Sequence, residues 1–162
     1  VVLGPCRGVL GGAAGAVGLD LPIAAPAVPA ELGRGQIRDL VDGGIAVRVG
    51  LPWIRSLPLA CLREPAITVD GVAAPTVFVG ERRLTPEQLV DEGGWWFAQD
   101  RVVLTAPVAP PAGEHDVVVT FRLLIPYLMA GPGGGPLELP MRVAGRLLLD
   151  APAVPSVSRD VA

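Results

Sequence analysis

From about Gln36 onward the chain alternates. Ile45, Val47, Val49 and Leu51 take one parity, and Ala46, Arg48 and Gly50 take the other. Within 116–125, Val117, Val119, Phe121, Leu123 and Ile125 alternate with Asp116, Val118, Thr120, Arg122 and Leu124. Within 137–149, Leu137, Leu139, Met141, Val143, Leu147 and Leu149 share a parity, and Glu138, Arg142 and Arg146 share the opposite one. Successive side chains of a strand point to opposite faces. A period of two therefore sets one face on a core and the other toward water or a partner. Shorter strands fall between these three. "ITVDGVAAPTVFVG" contains Asp70-Gly71, a strong hairpin signal. "WWFAQDRVVLTA" predicts two short strands, or one bent strand, around Gln99-Asp100. One helical turn is marked at Thr85-Pro86-Glu87-Gln88: Thr85 caps, Pro86 suits the first helical position, Gln88 completes a capping box, and Gly93-Gly94 ends it. "PVAPPAGEHD" and "AGPGGGP" read as loops, and no internal repeat is present.

Seven to eight strands separated by turn signals predict an all-β fold, an antiparallel β-sandwich with one short helical turn. Composition agrees: 21 glycines and 18 prolines in 162 residues suit a turn-rich β protein and not a helical one. Pro52, Pro126 and Pro140 read as prolines that protect the edges of such a sheet. The length predicts one domain with a real core, spanning residues 36–150. Residues 1–35 read as a poorly specified N-terminal extension. They faintly resemble a secretory signal, but Asp20 interrupts the apolar part. Residues 151–162 read as an exposed C-terminal tail. No apolar run reaches membrane-spanning length without a proline or a charge.

The net charge of −3 supplies no basic field for nucleic acid. All 13 basic residues are arginine, which fits a GC-rich bacterial genome better than phosphate recognition. Cys6 and Cys61 read as reduced thiols in a cytoplasmic protein, Cys61 as a small buried hydrophobe. His115 reads as a solvated turn histidine, since neighbours on a strand diverge and Glu114 and Asp116 cannot both clasp it. The serines lack a glycine-flanked elbow, "GPGGG" lacks the lysine of a phosphate loop, and Asp91-Glu92 reads as a solvated helix end. Arg48, Arg122, Arg142 and Arg146 fall on outward parities and read as a solvated polar face. Trp95 and Phe97 share a face opposite Trp96, so one side enters the core and the other can meet a sugar ring or a protein. No self-sufficient nucleophile or acid–base set emerges, which favours a binding or accessory role.

"VRVGLPWIRSLPLACLREPAITVDG" resembles the signature region of the C-glycoside deglycosidase beta-subunit family. Trp53, Arg55, Ser56, Leu57, Pro58 and Leu59 carry it, followed by Val69-Asp70-Gly71. "LTPEQLVDE", "WWFAQD", "GEHDVVV" and "LLIPYL" follow in order, and the resemblance covers about residues 36–130. It implies a small β-sandwich that associates, as part of a hetero-oligomer, with a TIM-barrel alpha subunit similar to sugar-phosphate isomerases. That subunit carries a divalent metal, usually manganese, and the acid–base residues; no cofactor is implied in this chain. The implied complex is a lyase of carbohydrate metabolism that cleaves the sugar–aglycone carbon–carbon bond of 3-oxo-C-glycosides. A proton beside the 3-keto group is removed and the aglycone leaves by elimination. Neither nucleic acid nor membrane is implied as a partner. On this reading Trp53, Arg55, Ser56, Leu57 and Pro58 are interface or active-site rim residues, with Trp95 and Tyr127 beside them. Two other classes stay open: a stand-alone carbohydrate-binding module using Trp95 or Trp96, and a stand-alone hydrolase or lyase using His115.

Overall fold

The structure, a computed structural model, describes residues 37–40, 43–152 and 157–162. The expected N-terminal extension, residues 1–35 with Cys6, lies outside the described residues. Two main sheets face each other across one apolar core. The first is built from β1 (Ile37–Asp39), β2 (Ile45–Gly50) and β8 (Arg101–Ala106), in that order and antiparallel. The second runs β10 (Leu137–Leu148), β9 (Glu114–Ile125), β4 (Leu62–Val69) and β5 (Val72–Ala73). A two-stranded ribbon joins β3 (Leu57–Pro58) to β7 (Trp95–Trp96). The all-β sandwich read from the sequence is therefore the fold.

The alternating segments become strands because only one of their parities can leave water. Val47 and Val49 on β2, Val102 and Leu104 on β8, and Val117, Val119, Leu123 and Ile125 on β9 are all fully buried. Trp96 fills the space at the ribbon and packs on Phe121, with ring centroids 6.1 Å apart. The Asp70-Gly71 turn closes β4 onto β5, pairing Val69 with Val72. Both turn residues have positive φ, 49° and 81°, as the tightest hairpins require. The helical turn α1 (Pro86–Leu89) has the expected capping box. The Thr85 amide donates to Gln88 Oε1 at 2.9 Å, and Thr85 Oγ1 accepts from the Gln88 amide at 3.4 Å.

Two expectations change, and one open alternative is resolved. The described residues hold eleven strand segments, not seven or eight. Five of them, including β6 (Phe78–Val79) and β11 (Asp160–Val161), are two residues long, too short to show a period. "WWFAQDRVVLTA" forms two strands, β7 and β8, in different sheets. The end of the tail is not a free extension. Asp160 and Val161 pair in parallel with Arg101 and Val102 of β8, beside the antiparallel β6. Gly80 (φ +74°) permits this approach, because a Cβ there would lie 1.9 Å from the Ala162 carbonyl carbon. Arg48 closes the contact through Nε at 2.6 Å from Asp160 Oδ1.

Pro140 sits in β10, which is the edge strand of the second sheet among the described residues, opposite Arg122. The Leu149 amide donates to the Gly113 carbonyl, which extends the β9–β10 register by one residue and fixes its parity. Odd-numbered backbone groups of β10 face β9, and even-numbered ones face outward. The proline removes an amide that had no partner in the ladder. Among the described residues no helix is long and apolar enough to cross a membrane.

Candidate functional site: an aromatic rim at one end of the sandwich

Strand β2 ends at Gly50, and the buried Leu51-Pro52 pair turns the chain outward. Trp53 to Ser56 then loop over the end of the sandwich before β3 returns to pair with β7. Pro58 opposes Trp95, and Leu57 opposes Trp96. The Ser56 hydroxyl accepts a hydrogen bond from the Ala98 amide at 3.3 Å, which fastens the loop to the segment beyond β7. A third segment arrives just past β9. The Trp53 indole N–H donates to the Tyr127 hydroxyl at 2.5 Å, and the Arg55 guanidinium carbon lies 5.9 Å from the centroid of the Tyr127 ring. That distance is within cation–π range.

The sequence-predicted site residues thus meet at one end of the molecule. Trp53, Arg55 and Tyr127 touch directly, and Ser56, Pro58 and Trp95 follow on the adjoining ribbon. Leu57 is the correction: it is 1% exposed and belongs to the core, because its register with Trp96 turns it inward. Trp95 and Phe97 expose about half their surface and stack at 6.4 Å with 27° between their planes. Ile54, Leu128 and Met129 add exposed apolar surface on the same loops, Ile54 being 80% exposed. Sequence reasoning missed these three and Phe97 as rim residues. A signal was present, since 126–130 continues apolar beyond the last inward residue of β9. Across 51–58, 95–99 and 126–130 the one charged side chain is Arg55.

His115 also departs from expectation. It is buried, 4% exposed, with both ring nitrogens engaged. Nε2 lies 2.7 Å from the Pro111 carbonyl, which only accepts, so that nitrogen carries a proton. Nδ1 lies 2.7 Å from Asp70 Oδ2. The other Asp70 oxygen accepts the Asp116 amide at 2.9 Å. The Asp70 carboxylate first, and the Pro111 carbonyl second, hold the imidazole above its usual range. The same contact, with the Asp116 amide, holds Asp70 below the usual carboxylate range. His115 is a clamp joining the hairpin turn to the loop before β9. A ring with both nitrogens engaged has no free lone pair to act as a base, and this argues against the His115 enzyme.

The four outward arginines divide between the two sheets, one on the first and three, exposed Arg142 among them, on the second. Arg48 lies on the first sheet and pairs with Asp160. On the second sheet Arg122 pairs with Glu138 at 2.8 Å, and Arg146 with Glu114 at 3.3 Å. Cys61 is buried and free, and burial pushes its thiol up, away from reactivity. Among the described residues no group of three or more His, Cys, Asp or Glu side chains converges as a metal site.

Fold and rim together define a class: a small β-sandwich that presents an aromatic, singly charged loop surface at one end. Comparison with known proteins narrows it. The chain is 44% identical over 99 residues to a protein of Arthrobacter globiformis described as a C-glycoside deglycosidase beta subunit, covering 57% of this chain and 76% of that protein. It is 36% identical over 104 residues to a 3'-dehydrocarminate deglycosidase beta subunit of a Microbacterium species, covering 60% of this chain and 77% of that protein. A C-glycoside deglycosidase beta subunit of Microbacterium trichothecenolyticum matches at 37% over 90 residues, covering 52% of this chain and 69% of that protein. No protein-family profile matches the chain. The chain belongs to the C-glycoside deglycosidase beta-subunit family.

Proposed function

We propose that this chain is the accessory beta subunit of a bacterial cytoplasmic C-glycoside deglycosidase, seated by its aromatic rim on a catalytic alpha subunit. One observation carries the reading. In a chain with beta-subunit relatives, Trp53, Arg55 and Tyr127 come from two distant segments and meet at the surface, with half-exposed Trp95 on the adjoining ribbon. Trp, Tyr and Arg dominate the energetics of protein interfaces, because they bury much area and retain polar handles. The proposed partner is a TIM barrel that holds the divalent metal, manganese by resemblance, together with the acid–base groups. The proposed reaction is cleavage of the sugar–aglycone carbon–carbon bond of a 3-oxo-C-glycoside. This chain's part is to support the barrel and shape the rim of its mouth, with Trp53 fixing Tyr127 and Ser56 fixing the loop.

The test is co-expression with a barrel protein encoded beside this gene. The expected result is a stable heteromer that turns over a 3-oxo-C-glycoside, while neither chain does so alone. Trp53→Ala with Arg55→Ala should weaken the heteromer. Unchanged assembly and turnover would remove the rim from the mechanism. The stacked, half-exposed Trp95 and Phe97 favour a second reading, a carbohydrate-binding module. It predicts that the isolated chain binds sugars and that Trp95→Ala abolishes this.

A further inference from the structure

The rim has an electrostatic peculiarity. Its segments, 51–58, 95–99 and 126–130, contain no aspartate and no glutamate, and Arg55 is their one charge. Among the described residues Arg55 makes no ion pair; its recorded contact is the Tyr127 ring. Tyr127 is likewise half-used. Its hydroxyl accepts the Trp53 indole N–H, and that leaves its own proton free to donate. The rim therefore presents a guanidinium over the Tyr127 ring together with the phenolic O–H of that ring, and Ile54, Met129 and Trp95 are exposed on the same three segments.

Covering such a surface with apolar atoms alone would strip an unpaired cation of water at a cost of several kcal/mol, on the order of the penalty for any buried ion. An occupant must bring an acceptor with negative charge. A second copy of this chain does not fit. A two-fold contact confined to the rim would bury two Arg55 guanidinium groups with no aspartate or glutamate in either surface to pair with them. We infer that the rim receives a carboxylate of the alpha subunit, set in apolar surface, with the Arg55 fork and the Tyr127 hydroxyl as its two donors. This rests on the accessory-subunit reading and adds to it the chemistry of the opposing surface. Trp53 is then a positioning residue: its N–H occupies the Tyr127 oxygen lone pair and turns the phenolic proton outward.

The test uses the heteromer. The dissociation constant is measured by calorimetry for wild-type, Arg55→Gln, Arg55→Lys and Tyr127→Phe chains, at low and raised salt. Arg55→Gln is expected to weaken association at least about 30-fold, as loss of one partner of a buried charge pair does. Arg55→Lys is expected to recover only part of this, because an ammonium lacks the planar fork. Neutralising the surface carboxylates of the alpha subunit one at a time should identify one whose loss costs nothing further once Arg55 is Gln. Arg55 is exposed, so Arg55→Gln should melt like wild type, which separates loss of binding from loss of fold. A heteromer indifferent to Arg55→Gln, or one in which no carboxylate couples to Arg55, overturns the inference while the accessory reading stands. A chain that forms homodimers through the rim also overturns it. Failure of the wild-type chain to form any heteromer overturns the accessory reading and the inference together.

Discussion

At the scale of the residue, adjacent side chains with the same name have opposite duties. Trp96 is 1% exposed and packs on Phe121, whereas Trp95 is half-exposed and packs on Phe97. Trp96→Ala should cost about 3–5 kcal/mol of unfolding free energy, by lost transfer energy and the cavity left behind. Trp95→Ala should cost under about 1 kcal/mol. Urea denaturation of the two variants measures the difference, and equal losses would contradict the register between β3 and β7. This contrast was legible in the sequence, because parity alone put Trp95 with Phe97 and Trp96 opposite. The inward turn of Leu57 was not. A two-residue strand has no period, and its facing is set by a partner 39 positions along the chain. His115 was misjudged for a similar reason. The Asp70 that fixes it lies 45 residues away, and no local pattern announces it.

At the scale of the element, the clamp around His115 makes the hairpin β4–β5 depend on a proton. Asp70 faces the ring directly. Arg146 of β10 lies near enough to favour the Asp70 anion, and Glu114 pairs with Arg146. The Asp116 amide also serves Asp70, and the Leu147 that opposes His115 across the ladder is apolar. The folded imidazole holds its proton more tightly than an unfolded one. Its contribution to stability is complete below about pH 6.5 and is lost as pH rises through the raised folded value. Asp70, held low, contributes above about pH 4 and loses its share as pH falls through its depressed value. Stability attributable to the clamp should therefore be greatest between about pH 4 and 6.5 and decline toward alkaline pH. His115 is the single histidine, so one imidazole resonance reports it. The expected result is titration above the ordinary range, returning toward it in Asp70→Asn. A midpoint already ordinary in the wild-type chain would remove the clamp. Local devices such as the Thr85 capping box and the Asp70-Gly71 turn were readable because their partners are two or three residues apart. The docking of Asp160–Val161 on β8 was not, since a parallel pairing about sixty positions distant leaves no trace in either segment.

At the scale of the molecule, the aromatic rim and the clamp sit at opposite ends of β9. His115 lies at the start of that strand and Ile125 closes it, roughly 33 Å on at about 3.3 Å per residue, with Tyr127 just beyond. Alkaline loosening of the hairpin should therefore leave the rim's loops in place. The missing amide of Pro140 has a consequence for the solution as a whole. An open strand of twelve residues is a template on which identical chains can stack into growing ribbons. The proline breaks its outward row of donors between Glu138 and Arg142, so an incoming chain meets an interrupted ladder. Pro140→Thr fills that gap and leaves the β9 pairing intact. The variant should unfold at nearly the wild-type denaturant concentration yet become turbid at a lower protein concentration when warmed. Light scattering across a dilution series checks this, and superimposed curves would deny the proline that role. On this reading one ring closure in an edge strand sets how concentrated the protein can become before it begins to polymerise.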